Sequence, residues 1–152
     1  MRKEDAWKED CIKQDTKGRK GAEKLTEKRE KNRIIQRKKH NSKYWLEAAE
    51  NLVNSNTPQG AIVLGYFAIE SKAEEALAHK NYKVNTHICT IKGVSRVLEL
   101  PELATEIQNA YQKRKDINYN TQLEQDSGEA KYFIENHVKD VIKKLEDKIE
   151  DK

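Results

Sequence analysis

Apolar residues recur with helical spacing from about residue 41 onward and are sparse before it. The most apolar stretch predicts a helix over about 59–79, begun by Thr57 as the N-cap and Pro58 at the first helical position. Its apolar residues cover more than one face and include Ile62, Val63, Leu64, Tyr66, Phe67, Ile69, Ala73, Ala76 and Leu77. A helix with so broad an apolar surface is typical of the centre of a bundle.

Four further helices are predicted around this central one. They are expected to start at Asn41 or Ser42, at Asn85 or Thr86, at Pro101 and at Glu129. The helix from Pro101 is expected to run to about Arg114, residues 116–128 to form a polar loop, and the last helix to end near Lys148. The fold class is therefore all-α, an up-and-down bundle of four to five helices preceded by a basic N-terminal arm.

Charge divides the chain at the same point. Residues 1–40 carry 15 Lys and Arg against 8 Asp and Glu, whereas residues 41–152 carry 15 against 18. We therefore expect a charged arm over 1–40, disordered or partly helical, and a helical domain over 41–150. Trp7 and the pair Ile34-Ile35 are apolar residues of the arm. They offer a way for the arm to pack against another surface, but the composition of the arm favours a solvated tail.

Composition also excludes several classes of protein. No stretch approaches the 18 or so apolar residues of a membrane span, and the charged N-terminus does not match a secretory signal. Cys11 and Cys89 lie far apart without a C-x-x-C pattern, so we expect two free thiols in a reducing cytoplasm. We expect no membrane partner and no cofactor.

Motifs of common enzyme classes are missing from the sequence, including the phosphate-binding P-loop and the H-E-x-x-H zinc motif. The four histidines lie in four different elements without the spacing of metal ligands, so no metal site is predicted. We interpret His87, at a helix start, as a capping or packing residue.

Arg114 is the position that stands out on physical grounds. It continues the inward face of its helix at the C-terminal end, and Asp116, Asn118 and Tyr119 follow it. One interpretation is that Arg114 bonds the last carbonyls of the helix, and residue physics alone favours this capping role. The other is that a guanidinium beside a carboxylate, an amide and a phenol binds a phosphate or a nucleobase.

The stretch from Gly60 to Ala78, GAIVLGYFAIESKAEEALA, resembles the long second helix of HEPN (higher eukaryotes and prokaryotes nucleotide-binding) domains. The elements around it resemble that family too: an Ala-rich first helix, Thr86-His87 opening the third, an Arg-bearing fourth and a charged last helix. The resemblance covers about residues 41–150 and leaves out the arm.

The family is known for an R-x4-6-H motif at the end of the fourth helix, which in its ribonuclease members cleaves RNA without metal across a dimer cleft. Here the run is Arg114-Lys115-Asp116-Ile117-Asn118-Tyr119, so the Arg matches and Tyr119 stands at the His position. This resembles an R-x4-Y branch of the family. A tyrosine hydroxyl, with a reference pKa of about 10, is a poor proton shuttle near pH 7.

The resemblance implies three functions. The first is a non-catalytic module that partners a minimal nucleotidyltransferase in a toxin–antitoxin type pair, with Tyr119 as a candidate for modification. The second is a nucleotide- or RNA-binding module that uses Arg114, Asp116, Asn118 and Tyr119. The third is a metal-independent RNA endonuclease toxin in which Arg114 is catalytic and Asp116, Asn118 or Tyr119 assists. A homodimer is also implied, and Tyr111, Tyr132 and Phe133 are residues that the bundle need not bury.

Overall fold

The structure is a computed structural model that describes residues 2–13, 20–119 and 126–151. In chain order its elements are α1 (Lys3–Cys11), β1 (Ala22–Lys24), α2 (Lys28–Asn54), α3 (Pro58–His79), β2 (Tyr82–Val84), α4 (His87–Arg96), α5 (Pro101–Tyr119), α6 (Ser127–Tyr132), a π-helical segment (Phe133–Val138) and α7 (Lys139–Glu150). The predicted all-α bundle is confirmed, with one small antiparallel sheet of two three-residue strands added to it. Within the described ranges, no helix is long and apolar enough to cross a membrane. A cytoplasmic location stays a prediction.

α3 is the central helix, as predicted, and contacts α2, α4, α5 and α7. Ile62, Ile69 and Leu77 on this helix are almost completely buried. Close packing depends on Gly65, because a Cβ atom there would lie 2.7 Å from Cδ1 of Ile134 in the π-helical segment. Thr57 occupies the predicted N-cap position, although its side chain makes no capping hydrogen bond, and Pro58 is the first helical residue as predicted.

Local signals placed the starts of α4 and α5 correctly as well. Thr86 is the N-cap of α4, and its hydroxyl accepts a hydrogen bond of 3.1 Å from the backbone N–H of Cys89. α5 begins at Pro101 as predicted but continues to Tyr119, so residues 116–119 are helical and not part of a loop. Residues 120–125 of the predicted loop lie outside the described residues. The last helix begins at Ser127, and the π-helical segment within it was not predicted.

The first predicted helix begins much earlier than expected. α2 starts at Lys28 and runs without a break to Asn54, so the boundary predicted between residues 40 and 41 falls inside it. Ser42 is not a cap, because its buried hydroxyl donates a 2.8 Å hydrogen bond to the carbonyl of Ala68 on α3. Ile34 and Ile35 are buried in a small cluster with Leu25 and Ala78. The charged first half of this helix therefore has its own apolar anchor.

The interpretation of residue Trp7 as part of a solvated tail is wrong. Its side chain is fully buried, and its indole N–H donates a 2.9 Å hydrogen bond to the carbonyl of Cys89. The ring also packs edge-on against Tyr82, with 4.8 Å between the ring centroids. The sequence pattern missed this because a single docked aromatic residue produces no periodic stripe.

The prediction of two free thiols is also wrong. Cys11 at the end of α1 forms a disulfide with Cys89 in α4, with 5.8 Å between the Cα atoms. The β1–β2 pairing, with Ala22 opposite Val84, lies beside this disulfide, and a Cβ atom on Gly21 would meet the sulfur of Cys89. Disulfides are rare in a reducing cytosol. The prediction of a cytoplasmic location therefore can no longer be based on free cysteine thiols.

Candidate anion-binding site

Arg114 lies on α5, and its half-buried side chain rests on a bed of three aromatic rings. The guanidinium carbon is 5.4 Å from the ring centroid of Phe67, and 5.8 Å from those of both Tyr66 and Tyr111. These distances are those of cation–π contacts, which the planar guanidinium makes readily. We call Tyr66, Phe67 and Tyr111 the ring bed.

The charge of Arg114 has no acidic partner among the described residues. Its Nε atom is buried and makes no hydrogen bond, and within the described ranges no carboxylate lies at ion-pair distance from its guanidinium. A guanidinium held by rings keeps its N–H donors for another group, and carboxylates and phosphates match the geometry of those donors. The arrangement suits an oxyanion.

Beside Arg114, three polar side chains form a hydrogen-bonded group. Glu70 on α3 accepts a 3.0 Å hydrogen bond from the Tyr66 hydroxyl and a close contact from Nδ1 of His87 at the start of α4. The Tyr66 hydroxyl also lies 3.3 Å from that Nδ1 atom. Because Glu70 accepts from Nδ1, a neutral His87 ring carries its proton there and leaves Nε2 as an acceptor.

His87 and Arg114 belong to one site because they share the same rings. The His87 ring centroid is 5.1 Å from that of Tyr111 and 5.9 Å from that of Tyr66. The side chain of His87 keeps about a third of its surface exposed, at 35%, so its free edge is open to solvent or a ligand. A cation and an imidazole ring therefore contact the same two tyrosine rings.

Burial sets the protonation of the neighbouring groups. Burial, reinforced by the carboxylate of Glu70, raises the pKa of Tyr66 far above its ordinary value, so this phenol stays protonated and donates. Burial also raises the pKa of Glu74, one turn along α3 from Glu70, although its ion pair with Lys38 opposes this shift. Tyr66 is thus a fixed donor within the site.

The other residues predicted with Arg114 are spread along the end of α5. Asp116 is exposed and accepts a 2.8 Å hydrogen bond from Gln112, and it lies about 200° around the helix from Arg114. Asn118 is exposed one turn beyond Arg114. Tyr119 is the last residue of α5, and its side chain lies outside the described residues. The structure does not bring Asp116 together with Arg114.

The capping interpretation of Arg114 is wrong. α5 continues for five residues beyond it, to Tyr119, so Arg114 is not in the last turn of the helix. The sequence did not link three further residues to the site, since Tyr66 and Phe67 were assigned to the core and His87 to capping or packing. The packing interpretation of His87 agrees with its ring contacts to Tyr66 and Tyr111. Glu70 could have pointed to a polar site on α3, because it is an acidic residue within the most apolar helix of the chain.

The lining of one other region, a groove, does not suit an anion. A groove of about 920 Å³ between the start of α5 and the end of α7 is lined by six acidic residues and only two lysines, Lys144 and Lys148. Over the ranges that the structure covers, no cluster of three or more His, Cys, Asp or Glu side chains is arranged to hold a metal ion. Arg114 on the ring bed is a half-buried cation without an acidic partner among the described residues.

Comparison of the chain with protein-family models, with curated proteins and with solved structures found no match. The HEPN assignment therefore rests on the residues quoted above and stays a prediction.

Proposed function

We propose that the protein is a HEPN-like helical module that binds a phosphate-bearing ligand, a nucleotide or single-stranded RNA, at Arg114. The observation that carries this proposal is the guanidinium of Arg114, held on three rings with no acidic partner among the described residues. An arginine so placed offers a planar pair of N–H donors to phosphate oxygens. The exposed edge of His87 and the half-buried ring of Tyr111 lie where a ribose or base would follow.

The test is titration of the protein with AMP and ATP by calorimetry. We expect Arg114→Gln to weaken binding about 10- to 100-fold, because it removes a charge-assisted hydrogen-bonding group. Arg114→Lys keeps the charge but not the planar fork, and should recover only part of the affinity. Arg96→Gln is the matched control, since Arg96 pairs with Asp10 on another surface of the molecule. Equal affinity of Arg114→Gln and the wild type would refute the proposal.

A second candidate function is metal-independent RNA cleavage, and the contact between His87 and Glu70 favours it. A histidine oriented by a carboxylate is a general base, and Nε2 of His87 would take the proton of a ribose 2′-hydroxyl. The 2′-oxygen bonds to phosphorus, the bond from phosphorus to the 5′-oxygen breaks, and water protonates that oxygen. Arg114 stabilises the charge that develops on phosphorus-bound oxygen. The products are a 2′,3′-cyclic phosphate and a 5′-hydroxyl.

This candidate is tested with single-stranded RNA in the presence of EDTA. His87→Asn is expected to slow cleavage about 10²- to 10⁴-fold while nucleotide binding at Arg114 persists. His137→Asn provides a control on a histidine that packs against Tyr132 and Phe133. If the wild type yields no cyclic-phosphate product, the site binds without turnover.

The nucleotidyltransferase partner and the homodimer follow from the resemblance alone. Of the three residues expected to remain unburied, Tyr132 is 61% exposed, Phe133 is buried, and Tyr111 belongs to the ring bed. Tyr132 is thus the one that offers an aromatic surface to a second copy. Light scattering decides the point, because a mass near 17.7 kDa would contradict the dimer.

A further inference from the structure

The first half of α2 is the most basic part of the described chain. Between residues 28 and 43 it carries eight Lys and Arg side chains and one acid, Glu30. Within the described ranges, Lys38 is the only one of the eight that forms an ion pair, with Glu74. This charge is therefore available to a partner and is not used to hold the fold.

Four exposed residues of this helix lie on one face. Arg33, Arg37, His40 and Tyr44 are spaced by four, three and four residues, which places them on one side of the helix over about 16 Å. Tyr44 is 55% exposed, and the ring of His40 lies nearly parallel to it, with 6.5 Å between centroids and 22° between planes. We call these four residues the α2 face.

A row of rings joins the α2 face to Arg114. The Tyr44 ring is 5.1 Å from Trp45, and Trp45 is 5.6 Å from Phe67, centroid to centroid. Phe67 in turn lies under the guanidinium of Arg114. Exposed aromatic rings beside cations are the features by which proteins bind single-stranded nucleic acid. Tyr44 is the exposed ring of this row, whereas Trp45 and Phe67 are half-buried.

We infer that the α2 face is a subsite for a single-stranded oligonucleotide, with a base stacked on Tyr44, phosphates beside Arg33 and Arg37, and a further phosphate at Arg114. The inference rests on the proposed function and deepens it, since it assigns a second contact surface that only a ligand of several nucleotides would reach. Charge complementarity and the row of rings together favour this occupant. An acidic protein would match the charge but leave the stacked rings without a role.

The test is fluorescence anisotropy with a labelled oligouridylate of about ten nucleotides, run beside AMP titrations of the same variants. Arg33→Gln/Arg37→Gln should lower the slope of log affinity against log salt by about 1.4 between about 50 and 200 mM, as expected for two lost phosphate contacts. Tyr44→Ala should weaken the oligonucleotide about tenfold, and Tyr44→Phe should restore it. AMP affinity should not change in either variant.

The matched control is Lys92→Gln/Lys143→Gln, which removes the same two charges from exposed positions on α4 and α7. An equal loss of slope in this control would overturn the inference, as would an oligonucleotide that binds no tighter than AMP. In both cases the proposed function still stands if Arg114→Gln weakens AMP binding relative to the wild type. If neither AMP nor the oligonucleotide binds the wild type, the proposed function fails and the inference fails with it. An oligothymidylate run in parallel shows whether the ribose contributes.

Discussion

Two charged clusters lie on different faces of α3, and they differ in how their cations are paired. In the first, which we call the closed cluster, Lys72 makes a 3.0 Å ion pair with Glu75 and a second ion pair with Glu146 of α7. Lys72 and Glu75 are 6% and 2% exposed. Burial alone would lower the pKa of Lys72, but the two carboxylates outweigh it and the pKa is raised.

The second cluster, the open cluster, contains Glu70, His87 and Arg114. Here the carboxylate is used by Tyr66 and His87, and the guanidinium rests on rings. The closed cluster pairs its cation with two carboxylates, whereas in the open cluster the guanidinium has no acidic partner among the described residues. The comparison teaches that burial and charge do not by themselves mark a site; the pairing of the charge does.

The largest expected effect on stability comes from a substitution that breaks the closed cluster. Lys72→Met leaves Glu75 buried without its cation, and we expect the free energy of unfolding to fall by about 3 to 5 kcal/mol. Urea unfolding measures it, with Lys144→Met as the control, because Lys144 pairs with Asp140 on the surface and its loss should cost under about 1 kcal/mol. AMP binding should be unchanged in both variants near pH 7.

A smaller effect on stability is expected from the open cluster. Arg114→Met loses cation–π contacts but strands no buried carboxylate, so unfolding should become easier by less than about 2 kcal/mol. The same variant should lose AMP affinity. A destabilisation as large as that of Lys72→Met would show that Arg114 is structural and would remove the distinction between the clusters.

The smallest expected effect is on the pH dependence of stability. When the pH is lowered, the carboxylates of Glu146 and Glu74 should change the free energy of unfolding in opposite directions. The ammonium of Lys72 lowers the pKa of Glu146 below its ordinary 4.5, so the stability from this carboxylate is present above pH 4.5 and lost as the pH falls through the folded-state value. Burial raises the pKa of Glu74, so its charge is unfavourable near pH 7 and this cost disappears on acidification.

The measurement is the free energy of unfolding of wild type, Glu146→Gln and Glu74→Gln from about pH 7 to about pH 3. On acidification, the wild type should lose stability relative to Glu146→Gln and gain it relative to Glu74→Gln. Parallel curves for all three proteins would show that the two carboxylates do not respond differently.

Sequence reasoning succeeded where the signal is local. Thr57 with Pro58, Thr86 and Pro101 each place a helix start within a residue or two of its observed position, because caps and prolines act on their own turn. Arg114 was found because its spacing continues an inward stripe. These features depend on a few neighbouring residues, which a sequence displays directly.

The parts that were missed depend on contacts between distant residues. Glu70 and His87 meet only because the chain turns back through Asn81, which has a φ of 75°, and through β2 before α4 begins. Trp7 lies 82 residues from the carbonyl that it contacts. Helical periodicity does not reveal such a pairing, so the sequence suggested a capping or packing role for His87 and a solvated tail for Trp7.

The uninterrupted course of α2 restricts how this protein can change through evolution. The helix is anchored at Ile34 and Ile35 near one end and at Trp45 and Ala49 further along. Insertion or deletion of one residue between these anchors would rotate one end against the other by about 100°. One of the two anchors would then turn away from the core, or the residues of the α2 face would no longer lie on one side of the helix. We therefore expect substitutions in this stretch to be tolerated better than insertions or deletions.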